Sequence, residues 1–244
     1  MSTILYKVKR KLFELGVLKK KSVVPDAAKI NQLLAQTDKL HIGCGDVRMQ
    51  GFINMDFRAT LATDIAADCT EINIFPPGSL SLIFSHAFFE HLYRLDRIKN
   101  LRSAFNCLKN TGHLVYLGFP DFRIIAKAYL DKEKGLIGDR FDLYHVYRYT
   151  HGDPEHVKGW WLEQLHKSLF DTETVDELLS QAGFHYYCIF NYCFKDEHLP
   201  VNMGFIAFKS KPVESITKDW ATGYLNSITD VVNPASLTIT VLKN

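Results

Sequence analysis

Residues 40–46 read Leu-His-Ile-Gly-Cys-Gly-Asp, and this stretch decides the fold of the chain. A short run typical of a buried strand stops there at two glycines one residue apart. A second strand signal, Phe-Ile-Asn-Met-Asp, follows at 52–56 and ends on a carboxylate. Glycines let a backbone come close to a ligand, and an acid at the end of the next strand can accept hydrogen bonds from ribose hydroxyls. The two signals together favour a nucleoside site, although Gly-x-Gly after a strand also marks ordinary tight turns.

The composition is that of a globular α/β protein. The chain has 244 residues, of which 47% are hydrophobic and 23% charged, and its net charge is +2. This length suits one α/β domain with additions. The sequence contains no run of about 18 apolar residues, so no membrane span is predicted. The first residues do not resemble a signal peptide.

Five cysteines occur, and no two have the Cys-x-x-Cys spacing of a zinc or redox site. An odd number without such spacing predicts free thiols in a reducing compartment. We therefore expect a cytoplasmic protein. The cysteines are Cys44, Cys69, Cys107, Cys188 and Cys193.

Residues 1–24 are predicted to form a basic amphipathic helix. They contain seven lysines and arginines against one glutamate, a net charge of +6, so the remainder of the chain carries −4. Such a helix can lie peripherally on an anionic inner membrane or dock on a partner protein. The alternative is a helix that packs on its own domain and exposes a solvated basic face.

The rest of the chain alternates between strand and helix patterns. The link between Gly45 and Phe52 is too short for a full crossover helix, since parallel strands usually need a dozen or more connecting residues. Strands are predicted at 40–43, 52–56, 64–68, 80–84, 113–119, 186–192 and 203–208, with the last two as an antiparallel hairpin. Helices are predicted from Pro25 onward and at 88–108, 121–134 and 172–181.

Two segments stand apart from this alternation. Residues 135–166 are irregular and rich in aromatics and histidines, which is typical of a lid inserted over the strand ends. Residues 211–244 form a C-terminal extension whose last part alternates like a strand, and the sequence does not define its role. The domain is therefore predicted to span 25–210, with the lid-like insertion inside it.

The ordered set of motifs resembles the class I S-adenosylmethionine-dependent methyltransferases. It is most similar to a bacterial type 11-like group, whose first motif reads Leu-Asn-(Leu/Ile)-Gly-Cys-Gly and whose second strand reads Phe-Ile-Asn-(Leu/Val)-Asp. The resemblance covers roughly residues 38–209 and includes Phe-Glu-His-Leu at 89–92, Phe-Pro-Asp at 119–121, and His-Lys-Ser-Leu-Phe at 166–170.

This resemblance implies a doubly wound, Rossmann-like sheet of seven strands, the last of them antiparallel. It also implies S-adenosylmethionine as the cofactor, bound at the carboxyl ends of the strands. Gly43 and Gly45 would contact its methionine and ribose parts, and Asp56 would bind the ribose hydroxyls. The remaining cofactor contacts would come from His41, Cys44, Asp68, Cys69, Ser85 and His86, with Asp68 and the Cys69 backbone at the adenine.

The chain departs from the family pattern at two positions. Many class I enzymes have an acid two residues before the first glycine, where this chain has His41. A third motif glycine is replaced by Val47. The departure at His41 leaves open how the amino group of the cofactor is held, and Val47 fits the short link that follows the motif.

Histidines are the candidate general bases for methyl transfer to a hydroxyl. His86, His156 and His166 are predicted as catalytic residues. A metal site made of His151, Asp153, His156 and His166 is an alternative, but its spacing fits no ligand motif, and no metal site is predicted. We expect a structural or cofactor-edge role for the Glu90-His91 pair.

The aromatic and histidine content of the insertion suits a sugar ring, and the related bacterial group is associated with surface-polysaccharide pathways. The expected reaction is O-methylation of a sugar or glycan precursor. Nucleic acid is not expected as a partner, because the domain is net acidic and lacks a basic groove. The alternatives are methylation of another small molecule, or a non-catalytic binding subunit that keeps the fold. Homo-oligomerisation is left open.

Overall fold

The computed structural model describes residues 25–135, 139–152, 164–195 and 197–244. They form one eight-stranded sheet in the order β3-β2-β1-β4-β5-β7-β6-β8. The strands are β1 Lys39–Ile42, β2 Ile53–Asp56, β3 Ile65–Ala66, β4 Leu80–His86, β5 Leu108–Pro120, β6 Tyr186–Tyr192, β7 Asn202–Phe208 and β8 Thr238–Lys243.

The pairing confirms the doubly wound fold that the resemblance implied. The strands β1 to β5 are parallel where they pair. The seventh strand, β7, runs antiparallel to β5 and to β6, as the predicted hairpin requires. An eighth strand, β8, corresponds to the strand-like alternation at the end of the chain and pairs with β6, an edge position that was not predicted.

Six α-helices accompany the sheet in the described part of the chain. They are α1 Ala27–Leu34, α2 Arg94–Cys107, α3 Phe122–Leu130, α4 Leu143–His151, α5 Thr172–Ala182 and α6 Lys218–Ile228. Buried residues of α1, α2 and α5 share one apolar cluster with one face of the sheet, called here the first face. Buried residues of α6 share a second cluster with the opposite, second face. None of these helices is long and apolar enough to cross a membrane.

The C-terminal segment is part of the domain core. The helix α6 begins at its N-cap Thr217, whose side chain accepts a hydrogen bond from the Trp220 N–H. Leu225 and Leu237 are fully buried in the second-face cluster. Residues 211–244 therefore cover one face of the sheet and add an edge strand to it.

Several predicted boundaries were wrong. The helix expected from Phe88 begins only at Arg94, because Leu92 is extended and a short 3₁₀ turn, Phe89–His91, precedes it. Phe89 packs in the core instead and stacks on Phe170 at 5.0 Å between ring centroids. The third strand has two residues instead of five, and the helix expected to reach residue 134 ends at Leu130.

Two predicted segments lie partly or wholly outside the described residues. The basic segment 1–24 is one of them. The other is the lid-like insertion at 135–166, of which residues 139–152 include α4. Its N-cap is Asp142, which forms a capping box with His145. It packs beside α3 through a small apolar cluster that includes Ile125 and Phe141.

Candidate functional site

A cavity of about 230 Å³ opens where β1, β2, β3 and β4 end. Parallel strands place their carboxyl ends at one edge of a sheet, which is where ligands of such folds bind. Residues from the turns after all four strands line this cavity. Five of the nine residues predicted to bind the cofactor are among them: Gly43, Gly45, Asp56, Asp68 and Cys69.

The glycine turn after β1 forms the floor of the cavity. Gly43 and Gly45 have φ angles of +67° and +53°. Residues that carry a Cβ rarely adopt this backbone region. The Thr60 hydroxyl donates to the Gly45 carbonyl at 2.7 Å. The Cys44 N–H donates to the Met55 carbonyl at 3.1 Å and so joins the turn to β2.

The Asp56 carboxylate organises the cavity floor. It is 5% exposed and lines the cavity. Its Oδ2 accepts a hydrogen bond from the Gly45 N–H, and its Oδ1 accepts one from the Arg58 N–H, both at 2.8 Å. Each carboxylate oxygen can accept about two hydrogen bonds. Both oxygens therefore keep acceptor capacity for hydroxyl groups of a ligand.

The turn after β3 supplies a second polar wall. Asp68 is exposed and accepts a hydrogen bond from the Thr70 N–H at 2.8 Å. Cys69 is buried, and its carbonyl accepts a hydrogen bond from the Asn100 amide at 2.9 Å. Asn100 is held in turn by the Tyr116 hydroxyl at 2.7 Å. This network fixes the backbone of Cys69 at the edge of the cavity.

The opposite wall was not predicted in detail. It is built from residues after β4 and from residues at the end of the insertion, and Tyr93 is 61% exposed in it. The Lys167 ammonium lies 4.8 Å from the centre of the Tyr93 ring. The sequence signals for this wall were the family-like segments at 89–92 and 166–170. Its lining residues include Phe88, His91, Leu92, Tyr93, Gln164 and Lys167.

His41 does not reach the cavity. Its neighbours Leu40 and Ile42 belong to the first-face cluster, and successive strand side chains point to opposite faces. The His41 ring instead lies 5.5 Å from the Phe84 ring, which is in the second-face cluster. Its Nδ1 is 3.1 Å from Asn54 Oδ1, and burial lowers the pKa of His41 to about 4.

Cys44, Ser85 and His86 also lie outside the cavity lining. The His86 ring stacks on Phe194 at 5.8 Å. Burial, followed by the neighbouring His41, lowers the pKa of His86 to about 4. His86 is two residues from Phe84 along β4, so it shares the second face with His41. His41 and His86, whose pKa values are both lowered, thus lie on the same face of the sheet and outside the cavity lining.

The predicted catalytic histidines have different surroundings. His156 lies outside the described residues, as does Asp153. His166 is half-buried beside the cavity, between the lining residues Gln164 and Lys167. Its Nδ1 is 2.7 Å from the Tyr149 carbonyl oxygen, and burial lowers its pKa. His151 pairs with the Thr150 hydroxyl at 2.8 Å.

The Glu90-His91 pair occupies the 3₁₀ turn that follows β4. Glu90 is 2% exposed, and burial raises the pKa of its carboxyl to about 8. His91 lines the cavity, and burial lowers its pKa to about 4. The rings of His91 and His166 lie 5.3 Å apart. His166, which was predicted to be catalytic, therefore contacts His91, for which a structural or cofactor-edge role was expected.

No protein-family model and no curated protein matches this chain. Solved structures do match it. They include an S-adenosylmethionine-dependent methyltransferase from Archaeoglobus fulgidus, at 15% identity over 85% of this chain and 100% of that one, with a TM-score of 0.48. Another from Mesorhizobium loti matches at 17% identity over 76% and 100% of the two chains, also at 0.48. A third from Methanosarcina mazei matches at 15% identity over 74% and 96%, at 0.45. Identities of 15–17% do not establish a function, which must be argued from the residues of the site.

Proposed function

We propose that this protein is an S-adenosylmethionine-dependent methyltransferase that methylates a hydroxyl group of a sugar or glycan precursor. One observation carries the proposal. The buried Asp56 carboxylate at the end of β2 accepts a hydrogen bond from Gly45 in the glycine turn after β1, and both residues line one cavity. An acid and a glycine turn on adjacent parallel strands suit the ribose of a nucleoside cofactor.

The proposed cofactor follows the cavity from β1 to β3. Its ribose hydroxyls donate to the remaining acceptor sites of Asp56. Its methionine part lies along the glycine turn at Gly43 and Gly45, beside the Phe88 ring that also lines the cavity. Its adenine meets Asp68 and the backbone of Cys69, which Asn100 holds in place. His41, Ser85 and His86 take no part in this arrangement.

Methyl transfer from a sulfonium is an in-line displacement on an activated carbon, so the protein mainly positions the acceptor and excludes water. The wall opposite the glycine turn offers an aromatic ring and several polar groups, among them Tyr93, Gln164 and Lys167. A sugar stacks on aromatic faces and offers hydroxyls to polar groups. This combination supports a sugar or glycan acceptor.

Calorimetry with S-adenosylmethionine tests the cofactor assignment. Asp56→Asn keeps the shape of the side chain and removes its charge. Hydrogen bonds to charged groups are worth about 1.5–3 kcal/mol, so affinity should fall by about 10- to 100-fold. The matched control is Asp46→Asn, since Asp46 is exposed and does not line the cavity. Equal affinities in the two variants would refute the ribose assignment.

A transfer assay with methyl-labelled cofactor tests the acceptor. Nucleotide sugars and lipid-linked sugars form one arm, and small phenols form the other. Label in a sugar supports the proposal, and label in phenols alone moves the acceptor to another class of small molecule. Cofactor binding without transfer to any acceptor would favour a non-catalytic subunit.

We also propose that the basic segment 1–24 holds the enzyme peripherally at an anionic membrane, where lipid-linked sugars occur. Its net charge of +6 supports this. Co-sedimentation with anionic liposomes should fall when residues 1–24 are deleted. Unchanged sedimentation of the shortened chain would remove membrane contact from the proposal.

A further inference from the structure

Three ligating side chains meet beside the cavity, and the proposed function uses none of them. They are Glu90 and His91, from the turn after β4, and His166, the last residue of the insertion. One ligand atom from each residue lies within 4.8 Å of the others. Glu90 Oε1 lies 3.7 Å from His91 Nε2. Residues 75 positions apart thus present one carboxylate and two imidazoles to one point.

The hydrogen bonds of the two histidines set their tautomers. His91 Nδ1 lies 3.1 Å from the Leu165 carbonyl oxygen, and His166 Nδ1 lies 2.7 Å from the Tyr149 carbonyl oxygen. A carbonyl can only accept, so both Nδ1 atoms must carry the proton. In a neutral ring the Nε2 lone pair is then available. Histidines that bind metals almost always donate their other N–H to a carbonyl or carboxylate in this way.

The Glu90 carboxyl is only half satisfied among the described residues, since His91 faces Oε1 alone. Its Oε2 is fully buried and forms no hydrogen bond with any residue in the described ranges. Burial of an unpaired carboxylate is costly, and such groups are normally paired or coordinate a metal. The turn is itself fixed in place, because the Lys167 N–H donates to the Glu90 carbonyl at 2.8 Å.

The donor set indicates the kind of cation. Magnesium and calcium prefer oxygen ligands, whereas imidazole suits zinc and other first-row divalent metals. Two histidines and one glutamate match the three protein ligands of catalytic zinc sites, which keep a further position open. His91 lines the same cavity as Asp56, so an open position at this site would be close to the cavity.

We propose that Glu90, His91 and His166 bind a first-row divalent cation such as Zn²⁺, and that this cation holds the acceptor hydroxyl for transfer. The second part rests on the proposed function. A bound cation lowers the pKa of an oxygen ligand. The acceptor oxygen gives its proton to water and forms the new O–CH₃ bond. The S–CH₃ bond breaks, and the electron pair stays on the sulfur of the cofactor.

Metal titration of the chelator-treated full chain tests the site. Zn²⁺ is followed by calorimetry, and Co²⁺ by its visible absorption bands, which report tetrahedral nitrogen and oxygen ligands. We expect one equivalent to bind. His166→Ala should weaken binding at least tenfold, the loss seen even for outer-shell changes. The matched control is His185→Ala, because His185 is exposed and outside the cluster.

Glu90→Gln provides a second variant that keeps the shape of the buried side chain. It should retain the circular dichroism spectrum of the wild type and lose metal affinity. Wild-type protein that binds no Zn²⁺, or that binds it equally well after His166→Ala or Glu90→Gln, would overturn the site. Equal losses in His185→Ala and His166→Ala would do the same, because they indicate dispersed surface binding.

The cofactor experiment separates this inference from the proposed function. If S-adenosylmethionine binds but Zn²⁺ does not, the metal site is refuted and the methyltransferase proposal stands. If Zn²⁺ binds but the cofactor does not, the site stands without its role in methyl transfer. If both bind, chelator-treated protein should lose most of its methyl transfer and regain it when Zn²⁺ is added.

Discussion

Gly43 and Phe88 are in such close contact that a Cβ atom on Gly43 would lie 2.7 Å from Cβ, Cγ and Cδ2 of Phe88. The first glycine of the turn is therefore required by its neighbour as well as by its φ angle of +67°. Phe88 is buried and lines the cavity. The ring after β4 thus presses on the turn after β1 and fixes the shape of the cavity floor.

Gly43→Ala should destabilise the protein by about 2–5 kcal/mol. A left-handed alanine costs about 1–2 kcal/mol, and overpacking typically adds about 1–3 kcal/mol. The contacted Phe88 atoms are near its backbone and cannot rotate away cheaply. Urea unfolding of purified protein measures the loss.

Gly51→Ala is the matched control, since Gly51 also has a positive φ, +76°, but an added Cβ would meet nothing within 4 Å. It should cost only the backbone strain, about 1–2 kcal/mol. Equal destabilisation in the two variants would show that the Phe88 contact is not a constraint.

The cavity assignment predicts different effects for Asp68 and His86. Asp68 lines the cavity at the proposed adenine end, whereas His86 lies on the second face of the sheet against Phe194. Asp68→Ala should weaken S-adenosylmethionine binding by about tenfold, as expected for one lost hydrogen bond to a charged group. His86→Gln should leave the affinity within about twofold. Calorimetry on both variants checks this, and the reverse order of effects would contradict the cavity assignment.

Strand ends could be predicted from the sequence because each is marked by local chemistry. The apolar runs predicted to stop at Gly43, Asp56 and Asp68 mark three residues that line the cavity, although the third strand ends earlier, at Ala66. Strand alternation with the buried Leu40 and Ile42 determines the side-chain direction at His41. The sequence motif showed which residue departs from the family pattern, but not that this residue faces away from the cavity.

The opposite wall depends on long-range contacts that have no local signal. The residues from Phe88 onward have helical periodicity, but the helix starts only at Arg94. Phe89 packs in the core against Phe170, which is far away in sequence. The same turn places the His91 ring against the His166 ring. The predicted metal alternative used histidines close in sequence, whereas the cluster combines residues from separate segments.

The C-terminal segment should behave as part of the core, although the sequence did not assign it a role. Leu237 is fully buried, between α6 and β8, in the second-face cluster. Leu237→Ala should lower the free energy of unfolding by about 2–5 kcal/mol, the usual range for a buried leucine. Val213→Ala is the control in the same segment, because Val213 is fully exposed, and it should change stability by less than about 0.5 kcal/mol. Similar values for both would mean that the segment is not packed on the sheet in solution.

His113 should make the stability of the protein depend on pH. Its ring stacks on Phe208 at 5.3 Å and is hydrogen-bonded through Nε2 to the Tyr224 hydroxyl, which joins α6 to β5. Burial, followed by the nearby Lys39, lowers the pKa of His113 to about 4. The unfolded chain, with an ordinary histidine pKa of about 6.5, binds more protons between these values. The stability that the neutral His113 contributes is therefore fully present above about pH 6.5 and is lost as the pH falls toward 4.

His113→Gln should flatten this dependence. Between pH 7 and pH 5 the His113 contribution to the wild-type free energy of unfolding falls by about 2 kcal/mol. The variant loses the Tyr224 contact at both pH values and has no proton to gain, so its own fall should be smaller by about that amount. Urea unfolding at the two pH values measures the difference. His185→Gln, a change at an exposed histidine, should behave like the wild type. If His113→Gln keeps the wild-type fall, the imidazole is not held neutral in the folded state.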